Sequence, residues 1–307
     1  MFNINTSIPF IKYRKFFYLI SVAIIVVGIG VGLIRGFNFG IDFTGGTKIQ
    51  FNMGREVELS DVKDVLAAND IQADIIYAGE QHEKVIIKTV TAMDNAARNE
   101  FYASMEDKFK PQLAEGAEFV ESSNLIGPSV GEMLKQNAIK AMLLAALAML
   151  IYVAIRFEWR FGVSAIIDLM HDVLILLAFY GLFHMQINSP FIAGMLIVVG
   201  YSINDTIVVF DRIRENKKYM KKRELAETID KSINQTMGRS IMTSVTTIVA
   251  IIPLFVMGGD AIREFTLPLL VGVIAGTFSS ITMASPLYYD LVRVTDRPKY
   301  GGKTKRG

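Results

Sequence analysis

The sequence contains no cysteine in 307 residues. A disulfide framework and thiolate chemistry are therefore excluded, while the redox compartment stays open. Histidine is scarce, with three in all, and no HExxH pattern occurs, so His171 lacks the companions a zinc ion requires. No metal and no resident cofactor are expected. Charge is also sparse: 20% of residues are Asp, Glu, Lys or Arg, and the net charge is +2. The basic residues are segregated rather than abundant, and no nucleic-acid partner is expected. What the chain has instead is apolar length. Hydrophobic residues make up 51% of it, in long runs. That composition reads as a polytopic membrane protein with one sizeable polar insert.

The first apolar run lacks the small-residue cleavage pattern of a signal peptide, so it reads as an uncleaved span. No lipidation motif stands out. Spans are expected over about 16–34, 139–155, 161–183, from 193 onward, 240–257 and 265–291. Each is close to the roughly 20 residues that cross a hydrocarbon core of about 30 Å. Lys12, Arg14 and Lys15 precede the first span, and Arg156 and Arg160 follow the second. Arg212, Arg214, Lys217, Lys218, Lys221, Lys222 and Arg223 follow the fourth, and Arg293, Arg297, Lys299, Lys303, Lys305 and Arg306 follow the sixth. This bias places both termini in the cytoplasm and the polar insert outside. Gly28, Gly30 and Gly32 in the first span permit close helix contact.

The domain plan is then residues 1–35 for the N-terminus and first span, and 36–131 for a periplasmic domain with its necks. Residues 132–292 form the remaining bundle, with a basic cytoplasmic loop at about 212–238, and 293–307 form a basic tail. The neck at 36–47 alternates glycine with aromatics and predicts no regular element. Gly40, Asp42, Gly45 and Gly46 are its candidate hinge residues, as are Gly127, Pro128 and Gly131 in the return segment; an ordinary loop is the alternative there. Between the necks, strands are predicted at 47–53, 73–77, 84–90 and 117–122. Helices are predicted around Leu59, Val62, Val65 and Leu66, with Ser60 as an N-cap, and over 94–109. The order βαββαβ is the ferredoxin-like arrangement. It carries no nucleophile, metal-ligand cluster or phosphate loop, and His82 sits alone in a turn. Leu225, Ile229 and Ile233, four apart in a basic stretch, favour a helix lying on the membrane surface; a helix packed on the bundle end is the alternative.

The stretch around which the rest is arranged is AGMLIVVGYSINDTIVVFDRIREN, residues 193–216. Asn204 and Asp205 lie inside its apolar part. A carboxylate there costs roughly 2.5–3.5 kcal/mol on insertion scales, unless it faces a bundle interior or a water path, is paired or is protonated. The competing reading is an Asn-Asp pair that only packs helices. In the third span Asp168, His171 and Asp172 share one helix face. Asp168 lies eight residues past Arg160 and Asp205 seven before Arg212. At about 1.5 Å per residue the two depths agree within roughly one turn, so the carboxylates can share a layer. Arg239, Thr243 and Thr247 form a polar stripe into the fifth span, and Arg239 can reach Asp205 or snorkel to the interface. An intramembrane aspartyl protease would need two carboxylates sharing a proton, but the residues before Asp205 are Ser202-Ile203-Asn204 rather than Gly-x-Gly. No enzymatic activity is expected.

The motifs FNFGIDFTGGT, GPSVG, HDV, GYSINDTIVVFDRIREN, NQTMGRSIMTS and TLPLLVGVIAGT run from residue 37 to residue 277. Together they resemble the SecF type of the bacterial SecD/SecF protein-export family, within the resistance-nodulation-division superfamily. The resemblance implies six spans that pair with six more from SecD, working beside the SecYEG channel with YajC in the inner membrane. It implies use of the proton motive force to move unfolded precursor proteins after the SecA ATPase has acted, with protons as the coupling ion. It also implies that Asp205 and Arg239, with an aspartate of SecD, take part in proton passage, with Asn204 beside them. Asp168, His171, Asp172, Thr243 and Thr247 remain relay members or bundle glue. Half of a proton-coupled small-molecule antiporter, or a scaffold that conducts nothing, are the alternative functions.

Overall fold

The computed structural model describes residues 8–78, 83–91, 93–109, 113, 117–219 and 224–296. The expected turn containing His82, the cations Lys221, Lys222 and Arg223, and the tail from Arg297 to Arg306 lie outside the described residues.

Among the described residues, six helices are long and apolar enough to cross a membrane. They are α1 (Phe10–Arg35), α5 (Pro128–Arg156), α6 (Trp159–Leu182), α7 (Ser189–Lys217), α8 (Leu225–Met257) and the rod from α9 (Gly259–Ser279) through a π segment (Ser280–Ala284) to α10 (Ser285–Thr295). Pro286 explains the π segment: it has no N–H to give the carbonyl of Thr282, and the widened turn absorbs the missing bond. The α9–α10 rod and α6 are the most enclosed spans, with α7 next, while α1, α5 and α8 present apolar side chains such as Val26, Leu144 and Val249 outward, as suits lipid.

The expected glycine contact is present where the helices meet. Gly28 lies against the Ala178 carbonyl, and Gly32 has Gly181 and the Phe37 ring where a side chain would stand; Gly30 faces open space. The same device, unforeseen from the sequence, joins α7 to α9, where Gly194 meets Pro268, Gly272 meets Val198 and Gly276 meets Ser202.

Between α1 and α5 lies the polar domain: α2 (Ile41–Thr44), β1 (Gly46–Asn52), α3 (Leu59–Ala68), β2 (Ala73–Ala78), β3 (Lys84–Thr89), α4 (Asn95–Phe109) and β4 (Val120–Ile126). The antiparallel sheet runs β2-β3-β1-β4, the strand order of a ferredoxin-like fold. Ile49 and Phe51 of β1 and Val85 and Ile87 of β3 alternate inward against Val62 and Leu66 of α3 and Phe101 and Met105 of α4. Ser60 is not the N-cap of α3; Glu58 holds that position, and Ser60 gives its hydroxyl to the Glu58 carboxylate. Asp94 caps α4 by accepting from the Ala97 amide at 2.8 Å. β4 begins later than predicted, since pairing with β1, interrupted by a shift at Gln50/Phe51, carries it to Ile126.

The two necks are more ordered than expected. Gly40 and Ile187 join the first to the α6–α7 loop: the Gly40 amide gives to the Ile187 carbonyl at 2.8 Å, and the Ile187 amide gives to Asn38 at 2.7 Å. The Asp42 carboxylate accepts from the Ser189 amide at 2.8 Å. In the return segment Gly127 is the N-cap of α5, and Pro128, whose fixed φ suits a first helical position, opens it. Gly131 is thus already helical, with the Phe43 carbonyl 2.7 Å from where its Cβ would be.

The surface helix is overturned. α8 runs unbroken from Leu225 to Met257, and Ile229 and Ile233 are fully buried against Val209, Phe210, Ile213 and Tyr288. Asp230 on the same segment accepts from the Ile11 amide at 2.9 Å. The apolar stripe has found the bundle end, where burial is complete and a backbone amide is satisfied as well. Accordingly Ile233→Ala should cost about 2–5 kcal/mol, read as a lower midpoint of thermal unfolding in detergent. A side chain lying in an interface would register little change.

Candidate functional site

The site lies where α6, α7, α8 and the π segment meet. α6 and α7 run antiparallel, so side chains four apart on one face those four apart on the other. Thr206 gives its hydroxyl to Asp168 Oδ2 at 2.9 Å, and one turn further Ser202 gives its hydroxyl to Asp172 Oδ2. His171 Nδ1 lies 3.1 Å from Asp172 Oδ1. All of these side chains are buried. Asp168 is within electrostatic reach of both Asp172 and Asp205, so the common layer expected from the spacing is present.

Asp205 lies between Ser202 and Thr206 in α7, turned toward α8 and the π segment, and is held by two hydroxyls from those two elements. Ser240 of α8 gives to Oδ1 at 2.5 Å, and Ser280 of the π segment gives to Oδ2 at 2.6 Å. Both oxygens of a buried carboxylate are thereby satisfied without a cation. From this point hydroxyls continue toward the polar-domain end of the bundle. Ser244 lies one turn beyond Ser240, with its hydroxyl 2.5 Å from that of Thr277. Tyr201 reaches Ser244 at 3.5 Å and Thr247 at 3.2 Å. A carboxylate at one end of a row of hydroxyls can accept, hold and pass a proton.

A family model described as "Protein export membrane protein SecD/SecF, C-terminal" matches residues 107–294, and one for the SecD/SecF GG motif matches 31–57. The chain belongs to the SecD/SecF family. It is 38% identical over 282 residues to the protein translocase subunit SecF of Haemophilus influenzae, covering 92% of this chain and 85% of that one. With the SecF subunit of Rhodothermus marinus it shares 36% over 300 residues, covering 94% of each chain. A crystal structure of SecDF from Thermus thermophilus, described as a translocon-associated membrane protein, superposes with a TM-score of 0.81 at 34% identity. That match covers 95% of this chain and 40% of the solved one.

In this SecD/SecF chain the GG-motif match contains Gly45 and Gly46, and the C-terminal match contains Asp168, Asp205, Arg239 and Ser280. Asp205, Asp168, His171 and Asp172 are brought together. Arg239 is not: it is exposed, and among the described residues its side chain makes no ion pair with Asp205. Adjacent helical residues point about 100° apart, and the α8 residue turned toward Asp205 is Ser240. Asn204 is likewise exposed, on the side of α7 away from Asp168. Thr243 bonds to the Arg239 carbonyl of its own helix at 2.9 Å, and Thr247 joins Tyr201. The residues missed from the sequence are the hydroxyls Ser202, Thr206, Ser240 and Ser280. A signal was available for the first two, which are spaced i, i+4 around Asp205.

Proposed function

We propose that the chain is the SecF-type half of a protein-export machine in the bacterial inner membrane, driven by protons that load and unload Asp205. Both termini lie in the cytoplasm and the polar domain in the periplasm, following the positive-inside bias. A SecD half completes the machine, which acts with YajC beside the SecYEG channel on unfolded precursor proteins. The proton is the coupling ion, and no covalent chemistry is involved. The supporting observation is Asp205, a buried carboxylate held, among the described residues, by the hydroxyls of Ser240 and Ser280 at one end of the Ser240–Ser244–Thr247 row. Support for the partner comes from relatives such as the SecDF of Thermus thermophilus, 37% identical, of which this chain spans 37%. The exposed Arg239 and Asn204 are then the groups that the SecD half meets.

The energetics are adequate. Reversing a two-state equilibrium from 1:99 to 99:1 takes about 5.5 kcal/mol, and two protons crossing roughly 120 mV supply that amount. The test is export into inverted inner-membrane vesicles containing this chain and its SecD half. Stimulation of late translocation should vanish when the proton gradient is collapsed with ATP held constant. Stimulation that survives the collapse would contradict proton drive and leave a scaffold.

A further inference from the structure

The rod from Gly259 to Thr295 touches both the candidate site and the sheet of the polar domain. At its π segment, Ser280 holds Asp205 Oδ2 at 2.6 Å. At its outer start, Glu264 takes the Lys88 ammonium of β3 at 2.8 Å and also the Asn188 side-chain amide at 2.8 Å. One turn earlier, Asp260 Oδ2 accepts the Tyr77 amide of edge strand β2 at 2.8 Å, while its Oδ1 pairs with Arg263 at 3.1 Å. Asp74 and Lys88 are paired across β2 and β3, and Gln186 of the α6–α7 loop reaches Asp74 at 2.5 Å. The sheet face free of helices thus sits on the start of α9, gripped by its two carboxylates. Glu264 and Ser280 are 16 residues apart, about 24 Å along one helix. Between them Gly272 and Gly276 let α9 lie directly on α7, the helix that carries Asp205.

We propose that this rod is the coupling element: Ser280 senses the charge on Asp205, and Glu264 with Asp260 moves the polar domain. The inference rests on the reading of Asp205 as a proton carrier. A carboxylate accepts from Ser280 with either oxygen, whereas a carboxylic acid has one oxygen that must donate. A proton on Oδ2 therefore reverses the Ser280 bond, and a proton on Oδ1 weakens it, because a neutral carboxyl oxygen is a poorer acceptor than a carboxylate oxygen. The π segment, where the helical ladder is already reset, is the place where a small shift of the rod costs least. Around Asp205, α6 presents Asp168, Asp172 and His171, while α8 and the π segment present hydroxyls. Around Glu264 stand Lys88, Asn188 and Tyr180. Lys88 and Glu264 are mostly buried, so their bond survives screening better than a surface pair. Ser280 and Glu264 are positioning residues; neither carries the transported proton.

The absence of native cysteine makes the test direct. Spin labels at Glu106→Cys on α4 and Ala261→Cys on α9 report the distance between the polar domain and the rod, in the full chain with its SecD half in vesicles. The distance distribution should shift between mildly acidic and mildly alkaline buffer. Asp205→Asn should hold it at the acidic position in both. Ser280→Ala should abolish the shift, and Glu264→Gln should broaden the distribution and remove its pH response. Lys88→Glu combined with Glu264→Lys should restore the response, which shows that the pair and not the fold was lost. A shift that disappears in Asp205→Asn but persists in Ser280→Ala and Glu264→Gln would overturn the rod alone. A shift that persists in Asp205→Asn, or no shift in the parent chain, would overturn the proton reading with it.

Discussion

Asp205→Asn should reduce export of a secretory precursor to the level of a strain lacking the chain, with normal abundance in the membrane. The reasoning is one of geometry preserved and charge chemistry lost. Asparagine has nearly the shape of aspartate and can still accept from Ser240 or Ser280 through its oxygen, now 2.5 or 2.6 Å away in the parent. The α7–α8–π junction should therefore assemble, since the glycine contacts that hold α7 on α9 are untouched. What asparagine cannot do is bind and release a proton. Precursor processing in cells, with membrane abundance and co-purification of the SecD half as controls, measures the effect. A scaffold predicts normal processing. Drug sensitivity with normal export would favour the antiporter.

Gly46→Ala should unfold or detach the polar domain, and the reason is steric rather than chemical. Gly46 has φ +149°, and a Cβ there would run into the Thr89 carbonyl oxygen, with Ile41 Cγ2 at 2.9 Å and Val90 Cα at 3.0 Å. The strained backbone costs about 1–3 kcal/mol, and the overpacking about 1–3 kcal/mol more. The oxygen belongs to the sheet backbone, where β3 pairs with both β2 and β1, so it cannot move aside. A loss of that size is a large share of the stability of a small domain. Proteolysis in membranes should cut within the strands of Gly46→Ala and leave the parent intact. The same glycine lies in the GG-motif match, and its role in the structure is to bring the neck directly onto the first strand.

The spans were legible in the sequence because each is a mostly apolar run of about the needed length, and cations separate them on one side. The polar domain was legible because its strands alternate with period two and its helices carry an apolar face. Asp205 stood out because a carboxylate in hydrocarbon demands an explanation. Its partners did not stand out. One residue along α8 is a turn of about 100°, enough to exchange Arg239 for Ser240, and hydropathy does not report helix rotation. Ser280 was hidden for a second reason, since the π segment changes the phase of the last span partway along it. The surface helix failed because an amphipathic stripe looks the same whether it meets lipid or the end of a bundle; only the positions of Ile213 and Tyr288 decide between them.

On the function proposed above, Asp205 takes up and gives up a proton inside the membrane. Infrared difference spectra of the complex in membranes, recorded on acidification, test it most directly. A protonated-carboxyl band should appear with acid, shift in Ser280→Ala as its hydrogen bond is lost, and be missing in Asp205→Asn. A band that is unchanged in Asp205→Asn would place the proton on another group and rule out Asp205 as the carrier.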